Sequence, residues 1–131
     1  MKGLGNDGQY WLALGEGRLE LLQCAKCRHW HWPAPFRCAA CGSFEFGWHA
    51  VAPSGHIFTW ARARHPFSGS EALGLPYTSV LVELPEAGGI RLLGLLDGDT
   101  EPQIGAPVTG TIAMTHAFGR TIPAWRWSVA S

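Results

Sequence analysis

CAKCRHWHWPAPFRCAAC, Cys24 to Cys41, is the stretch on which the reading of this chain turns. Two CxxC pairs are separated by ten residues. Thiolates at i and i+3 in a tight knuckle can reach one ion from the same side. Two knuckles then supply the tetrahedral four-sulfur set of a closed structural Zn²⁺ site. Cys24, Cys27, Cys38 and Cys41 are therefore the expected metal ligands, on the plan of a zinc ribbon. Pro33 and Pro35 stiffen the connection between the pairs. Gly42, directly after the second pair, can take a positive φ, whereas Arg28 holds the matching place after the first, so the two halves are expected to differ.

Other uses of the cysteines are weaker. A redox CxxC belongs at the start of a helix after a strand, a setting this segment lacks. Disulfides require an oxidising compartment, and His29 or His31 could replace a sulfur ligand because both lie close by. The ligands alone leave iron open beside zinc. If all four thiolates are spent on an ion, no position remains for water or substrate, and the metal is structural.

Outside that segment, composition restricts the choices. At 131 residues the chain fits one ordinary domain, or a small module joined to a barrel or sandwich. With 47% apolar and 15% charged residues it can bury a core but is poor in solvating charge, which suggests a surface covered by a partner. Seven tryptophans point the same way, about half of them expected in the core and the rest at an interface or pocket. Ten basic residues balance ten acidic ones, so nothing attracts nucleic acid or an anionic membrane over the whole chain. The start, MKGLGNDGQYWLALGEG, lacks the apolar run of a signal peptide, and no segment is long enough to span a bilayer, which gives the expectation of a cytoplasmic protein.

The remaining pattern is mainly β. Asn6 and Asp7 suit a helix N-cap, and Tyr10, Trp11 and Leu14 make a narrow apolar stripe before Gly15 and Gly17. A helix of about two turns cannot stand alone and must pack on the rest of the chain or on another one. Extended segments, 18 to 23 and 44 to 51, flank the cysteines. Later strands are expected at 56 to 64, 78 to 84, 91 to 96, 108 to 115 and 124 to 129, where Trp125, Trp127 and Val129 share a face. In HIFTWARAR, strict alternation would put Ile57, Thr59, Ala61 and Ala63 on one face and His56, Phe58, Trp60, Arg62 and Arg64 on the other. Five strands with short turns suggest a small closed barrel of the OB type, with a sandwich as the alternative. The expected organisation is a helical docking segment over 1–17, the zinc ribbon over 18–47 and the OB-fold domain over 48–131. The connection HPFSGSEALGLPY, 65 to 77, exceeds what a hairpin needs, and such loops tend to carry function. No dinucleotide fingerprint, P-loop or nucleophile elbow is present.

Six segments in order, YWLALGEGRLELLQCAKC, P-x-PFRCAACGS, GHIFTWARA, PYTSVLVEL, GGIRLLGLL and IGAPVTG, resemble the OB-fold acyl-CoA-associated family, domain of unknown function 35, over residues 8 to 129. The resemblance implies an N-terminal helical segment, a rubredoxin-like zinc ribbon and an OB fold. It also implies a non-catalytic subunit that accompanies thiolase-superfamily enzymes, among them thiolases, steroid side-chain aldolases and acyltransferases, or a hydratase of the MaoC type. Carried onto this chain, the zinc ligands fall on Cys24, Cys27, Cys38 and Cys41 and the docking helix on Tyr10, Trp11 and Leu14. The sequence departs from the family at Arg28, where glycine is usual.

On that basis the expected ligand is a coenzyme A thioester shared with the partner. Arg62 and Arg64 are candidates for its phosphates, and Phe58 and Trp60 for its acyl group or adenine. Two other classes remain: a zinc-ribbon and OB nucleic-acid module, disfavoured by Glu45, Glu71, Glu83 and Glu86 among the arginines, and an enzyme acting alone through His116 or His65 as base, which lacks a paired nucleophile.

Overall fold

A computed structural model describes residues 6–65, 73–98, 101–117 and 119–130. Most of the long connection expected to carry function, residues 66–72, lies outside them, as does the start of the segment 1–17. The described chain divides into two compact units. One runs to Ala52 and includes Leu84–Ile90; the other is Pro53–Glu83 with the residues from Arg91 onward.

In the first unit, α1 spans Gly8–Gly15. Asp7 is its N-cap residue, yet its carboxylate caps no backbone amide; Oδ2 instead accepts a hydrogen bond from Trp11 Nε1 at 3.0 Å. At the other end Arg18 N–H reaches Ala13 O and Gly17 N–H reaches Leu14 O, the paired bonds of a Schellman turn. Tyr10, Ala13 and Leu14 are buried with Leu19, Leu21 and Leu22, so the short helix gains its stability from the strand that follows. That strand, β1 (Glu20–Cys24), is the middle of a three-stranded sheet in the order β2-β1-β3, with β2 at Trp30–His31 and β3 at Phe46–Ala50. Both neighbours are antiparallel, Leu22 facing His31 on one side and Trp48 on the other.

The second unit is the expected five-stranded closed barrel. Its strands are β4 (Ser54–Ala63), β5 (Tyr77–Leu84), β6 (Ile90–Leu96), β7 (Pro107–Ala117) and β8 (Arg120–Val129), closing in the order β4-β5-β6-β8-β7. The pairing of β6 with β8 is parallel, Leu95 to Arg126 and Leu96 to Trp127, while β7 and β8 form a long antiparallel hairpin. Ile57, Val80, Val82, Leu92, Val108, Trp125 and Trp127 make the core. Trp127 is wholly buried between two strands that can approach it only because they carry glycine. A Cβ on Gly94 would lie 2.6 Å from its Nε1 and one on Gly110 2.7 Å from its Cζ3. Trp125 stacks on it at 5.4 Å.

Two expectations are corrected. Of the seven tryptophans only Trp125 and Trp127 are buried, and the other five are half-buried. Val129, two residues beyond Trp127 in β8, is 53% exposed at the strand's end. The strict alternation of β4 fails at Phe58, where a bulge shifts the register from Ile57↔Val82 to Thr59↔Leu81. The extra residue turns the rest of the strand over, so that Trp60 pairs with the buried Val80 and Arg62 with the buried Thr78. Among the described residues no helix is long and apolar enough to cross a membrane.

Candidate metal centre and the barrel cavity

The ribbon brings its four sulfurs within 4.8 Å of one another. Cys24 to Cys41 and Cys27 to Cys38 are each 3.6 Å apart, one sulfur from each knuckle in either pair. A covalent bond would need about 2.05 Å, whereas sulfurs about 2.3 Å from one tetrahedral ion sit about 3.8 Å apart. The donor set thus fits a structural four-thiolate ion and excludes the disulfide arrangement.

The knuckles are built alike, contrary to the expected inequality. Arg28 N–H donates to Cys24 O at 3.0 Å and Gly42 N–H to Cys38 O at 2.8 Å. Likewise Cys24 N–H donates to His29 O and Cys38 N–H to Ser43 O. Gly42 has φ 81° and Arg28 has φ 63°, so the arginine adopts the glycine conformation, at a cost of about 1 to 2 kcal/mol for an L residue.

These turns aim amides at sulfur, which is where the thiol acidities come from. The backbone N–H of Cys27 leads in lowering Cys24 to about 6, against burial and with help from Lys26 N–H and the neighbouring sulfurs. Cys38 is lowered as well: burial opposes ionisation, but the N–H groups of Cys41 and Ala40 and the adjacent thiols outweigh it. Cys27 goes the other way, to about 12. The N–H of His29 favours its thiolate, yet burial and the sulfurs of Cys38, Cys41 and Cys24 together prevail. Four thiolates this close cannot all ionise without a cation among them, and a divalent ion supplies that charge. His31, weighed as a possible ligand, is instead a neighbour: its Nε2 lies 3.3 Å from Cys38 Sγ, and its ring is buried against Phe46. Its pKa is lowered, by burial first and then by His29.

The residues expected to meet a partner or coenzyme are not all placed alike. Tyr10 and Leu14 are 4% and 2% exposed, Tyr10 packing on Trp32 at 4.0 Å, so both are spent within the chain. What α1 turns outward is Leu12, 61% exposed, and half of Trp11. The bulge separates the four proposed channel residues. Trp60 and Arg62 stay together, the guanidinium 5.7 Å from the indole, and Arg62 donates from Nε to Thr78 Oγ1 at 3.2 Å. Phe58 lies apart from them under Arg91, whose guanidinium sits 3.6 Å from the ring centroid and pairs with Glu83 at 3.2 Å. Arg64 is exposed just beyond β4. His116 Nδ1 is 2.8 Å from Thr121 Oγ1 across the β7–β8 hairpin.

Arg62 also lines a cavity of about 390 Å³ with Thr78, Leu95, Asp97 and Arg126. Sequence reasoning passed over Arg126 because alternation makes it merely the outward residue between two buried tryptophans. Only the parallel β6–β8 pairing brings it to Asp97, 29 residues away.

Comparison with known proteins agrees with this architecture. Residues 11–47 match the model of the ChsH2 rubredoxin-like zinc ribbon domain, and residues 48–112 that of the ChsH2 C-terminal OB-fold domain. The chain is 33% identical over 108 residues to a probable enoyl-CoA hydratase alpha subunit of Thermomonospora curvata, an alignment covering 80% of this chain. The match covers 33% of that protein, so the chain spans about a third of that relative's length. A solved structure of the Ltp2-ChsH2(DUF35) aldolase superposes with a TM-score of 0.82 at 27% identity, over 100% of both chains. A DUF35 protein of unknown function from Sulfolobus solfataricus, 18% identical, gives 0.62 over 96% of this chain and 87% of that one, which shows a common fold. The chain therefore belongs to the DUF35 family, in its ChsH2 form of a rubredoxin-like zinc ribbon followed by an OB-fold domain.

Proposed function

We propose that this chain is a non-catalytic, zinc-braced subunit of an acyl-CoA-processing complex. In this reading it docks on a thiolase-superfamily enzyme and supplies walls and charge to its acyl-CoA channel, while the partner makes or breaks the carbon–carbon bond. The observation that carries the reading is the full-length superposition on the ChsH2-type chain of an aldolase complex. The chemistry of the ribbon supports it, since four thiolates around one ion leave no coordination position for a substrate. The exposed apolar side chains also suit a subunit whose surface is covered. Trp11 and Leu12, held outward by the packing of Tyr10 and Leu14, form the docking edge of α1. Trp60 and Arg62, with Arg64 beyond them, face the coenzyme. Phe58 and Arg91 belong to a separate aromatic and cationic patch.

The test is co-expression with a thiolase-type partner. A stable heteromer with carbon–carbon lyase or acyltransferase activity, absent from either chain alone, is the expected outcome; full turnover by this chain alone overturns the reading. Arg62→Ala with Arg64→Ala should raise KM for acyl-CoA in the complex and leave assembly intact. A second reading, partnership with an enoyl-CoA hydratase, is favoured by the 33% identity to a hydratase alpha subunit. Assaying hydration of an enoyl-CoA beside carbon–carbon cleavage separates the two.

A further inference from the structure

We infer that the open edge of β7 is a self-association surface, on which a second copy of this chain pairs its own β7 antiparallel across a two-fold axis at Met114. The edge begins where β4 leaves. The two strands pair from His56↔Pro107 to Ser54↔Thr109, and Gly110 N–H donates to Pro53 O just beyond. Upstream of that point the chain joins the ribbon unit, where Val51 N–H donates to Leu19 O. Among the described residues no other strand takes the place of β4 beside β7.

The ladder fixes what that edge offers. Gly110 N–H and Ala106 O both point toward β4. By alternation Ile112, Met114 and His116 aim their N–H and C=O groups outward, while Thr111, Ala113 and Thr115 bond to β8. The register with β8 runs from Val108↔Val129 to Ala117↔Arg120 without a shift, so no bulge turns the edge aside. Strand edges left in water are normally blunted by charge, proline or a bulge. The outer side of β8 has such a device: Pro123, which lacks an N–H, is in phase with Trp127, whose C=O accepts from Asp97 N–H on that side. The sequence of β7, PVTGTIAMTHA, holds no charged residue, and Met114 is 62% exposed.

An edge of this kind is its own complement. Pairing can extend over residues 111–117, because Pro53 holds Gly110 at one end and the turn at Gly119 closes the other. That window is centred on Met114. With Met114 opposite its counterpart and Ile112 opposite His116, all three outward-facing residues fall on hydrogen-bonded pairs, each exchanging both bonds with its opposite number. No like charges meet, since the window contains none. A two-stranded arm is marginal in water by itself, whereas two of them joined edge to edge make a sheet of four strands. A foreign strand would find no charge on this edge to read, which favours the second copy over a different partner. The inference does not depend on the acyl-CoA reading above.

The test is sedimentation velocity of the zinc-loaded chain across the micromolar range, with amide hydrogen exchange followed residue by residue. A monomer–dimer equilibrium is expected. The amides of Ile112, Met114 and His116 should slow roughly tenfold as the dimer fills, whereas those of Thr111, Ala113 and Thr115, bonded to β8, stay slow at every concentration. Met114→Lys and Met114→Glu are surface changes that spare the fold, which an unaltered melting temperature and zinc content would verify. Each should weaken the dimer roughly tenfold or more, because like charges then stand directly opposite, and mixing the two variants should restore a heterodimer. Leu93→Lys, at a similarly exposed apolar residue of β6, should associate as wild type. A wild-type chain that stays monomeric, with the outward amides exchanging at one rate throughout, overturns the inference. So does a dimer that Met114→Lys leaves intact or that Leu93→Lys disrupts equally, since association then runs through another face. If the outward amides gain protection only when a thiolase-type or hydratase partner is added, the second copy is not the occupant and the inference falls, while the proposed function stands.

Discussion

The two units of this chain solve the problem of small size in different ways. Around the sulfurs the ribbon has almost no core: Cys24 and Cys38 are buried, but Ala25 to His29 and Ala39 to Cys41 are exposed. Order there comes from repeated hydrogen-bonded turns and from the ion that their four clustered sulfurs are suited to hold. In the barrel, five strands close on themselves around two stacked tryptophans and a set of aliphatic side chains, and order there comes from that packing. Its tolerance is limited in another manner, since the wall fits Trp127 with no room for a further methyl group at Gly94 or Gly110. A ligand set fails when one donor is lost; a close-packed core fails when volume is added.

The sharpest way to break the comparison is to remove the metal. Cys24→Ser, or chelation of the wild-type chain, should abolish the expected stoichiometry of about one zinc per chain and unfold the knuckles, because metal binding at such sites is folding energy. Hydrogen exchange should accelerate over Glu20–Cys24 and Phe46–Ala50 while the amides of Val80, Val82 and Trp127 stay protected; simultaneous loss of both sets would mean that the barrel also depends on the ion. The converse is Gly110→Val. It should destabilise the barrel by about 1 to 3 kcal/mol, read as a lower melting midpoint in the near-ultraviolet signal of the tryptophans, with zinc content unchanged. A smaller effect is expected from His31→Phe, which removes the ring nitrogen beside Cys38 Sγ. Zinc affinity measured by competition with a chromogenic chelator should fall about tenfold, or about 1.4 kcal/mol. Smallest is Arg28→Gly. It relieves the left-handed arginine but loosens the unfolded chain, so a net gain of about 0.5 to 1 kcal/mol in chemical denaturation is expected. No gain would show that the Arg28 side chain offsets its strain.

That last position marks where sequence reading stopped being reliable. Arginine in place of glycine suggested unequal knuckles, but the ring of hydrogen bonds around Cys24 is strong enough to hold an L residue in the glycine conformation. The helix was legible in outline, since its stripe and terminal glycines are local signals. Its orientation was not, because whether Tyr10 and Leu14 or Leu12 faces outward depends on where β1 lies. On β4 the pattern misled outright. HIFTWARAR alternates perfectly in type, and nothing in those letters announces a bulge, which arises where β4 meets β5 and the loop around Gly105.

The sequence by itself determined the four clustered cysteines, the order of ribbon before barrel and the five strands of the barrel, because each is written in spacings of a few residues that short-range geometry enforces; the two-residue strand β2 it did not show. Tertiary structure decided which face of β4 looks inward, which strands leave room for Trp127, and that Arg126 shares a cavity with Arg62. Those outcomes depend on the register between segments tens of residues apart. A shift of one residue there reverses every side chain, while the local pattern of the strand stays the same.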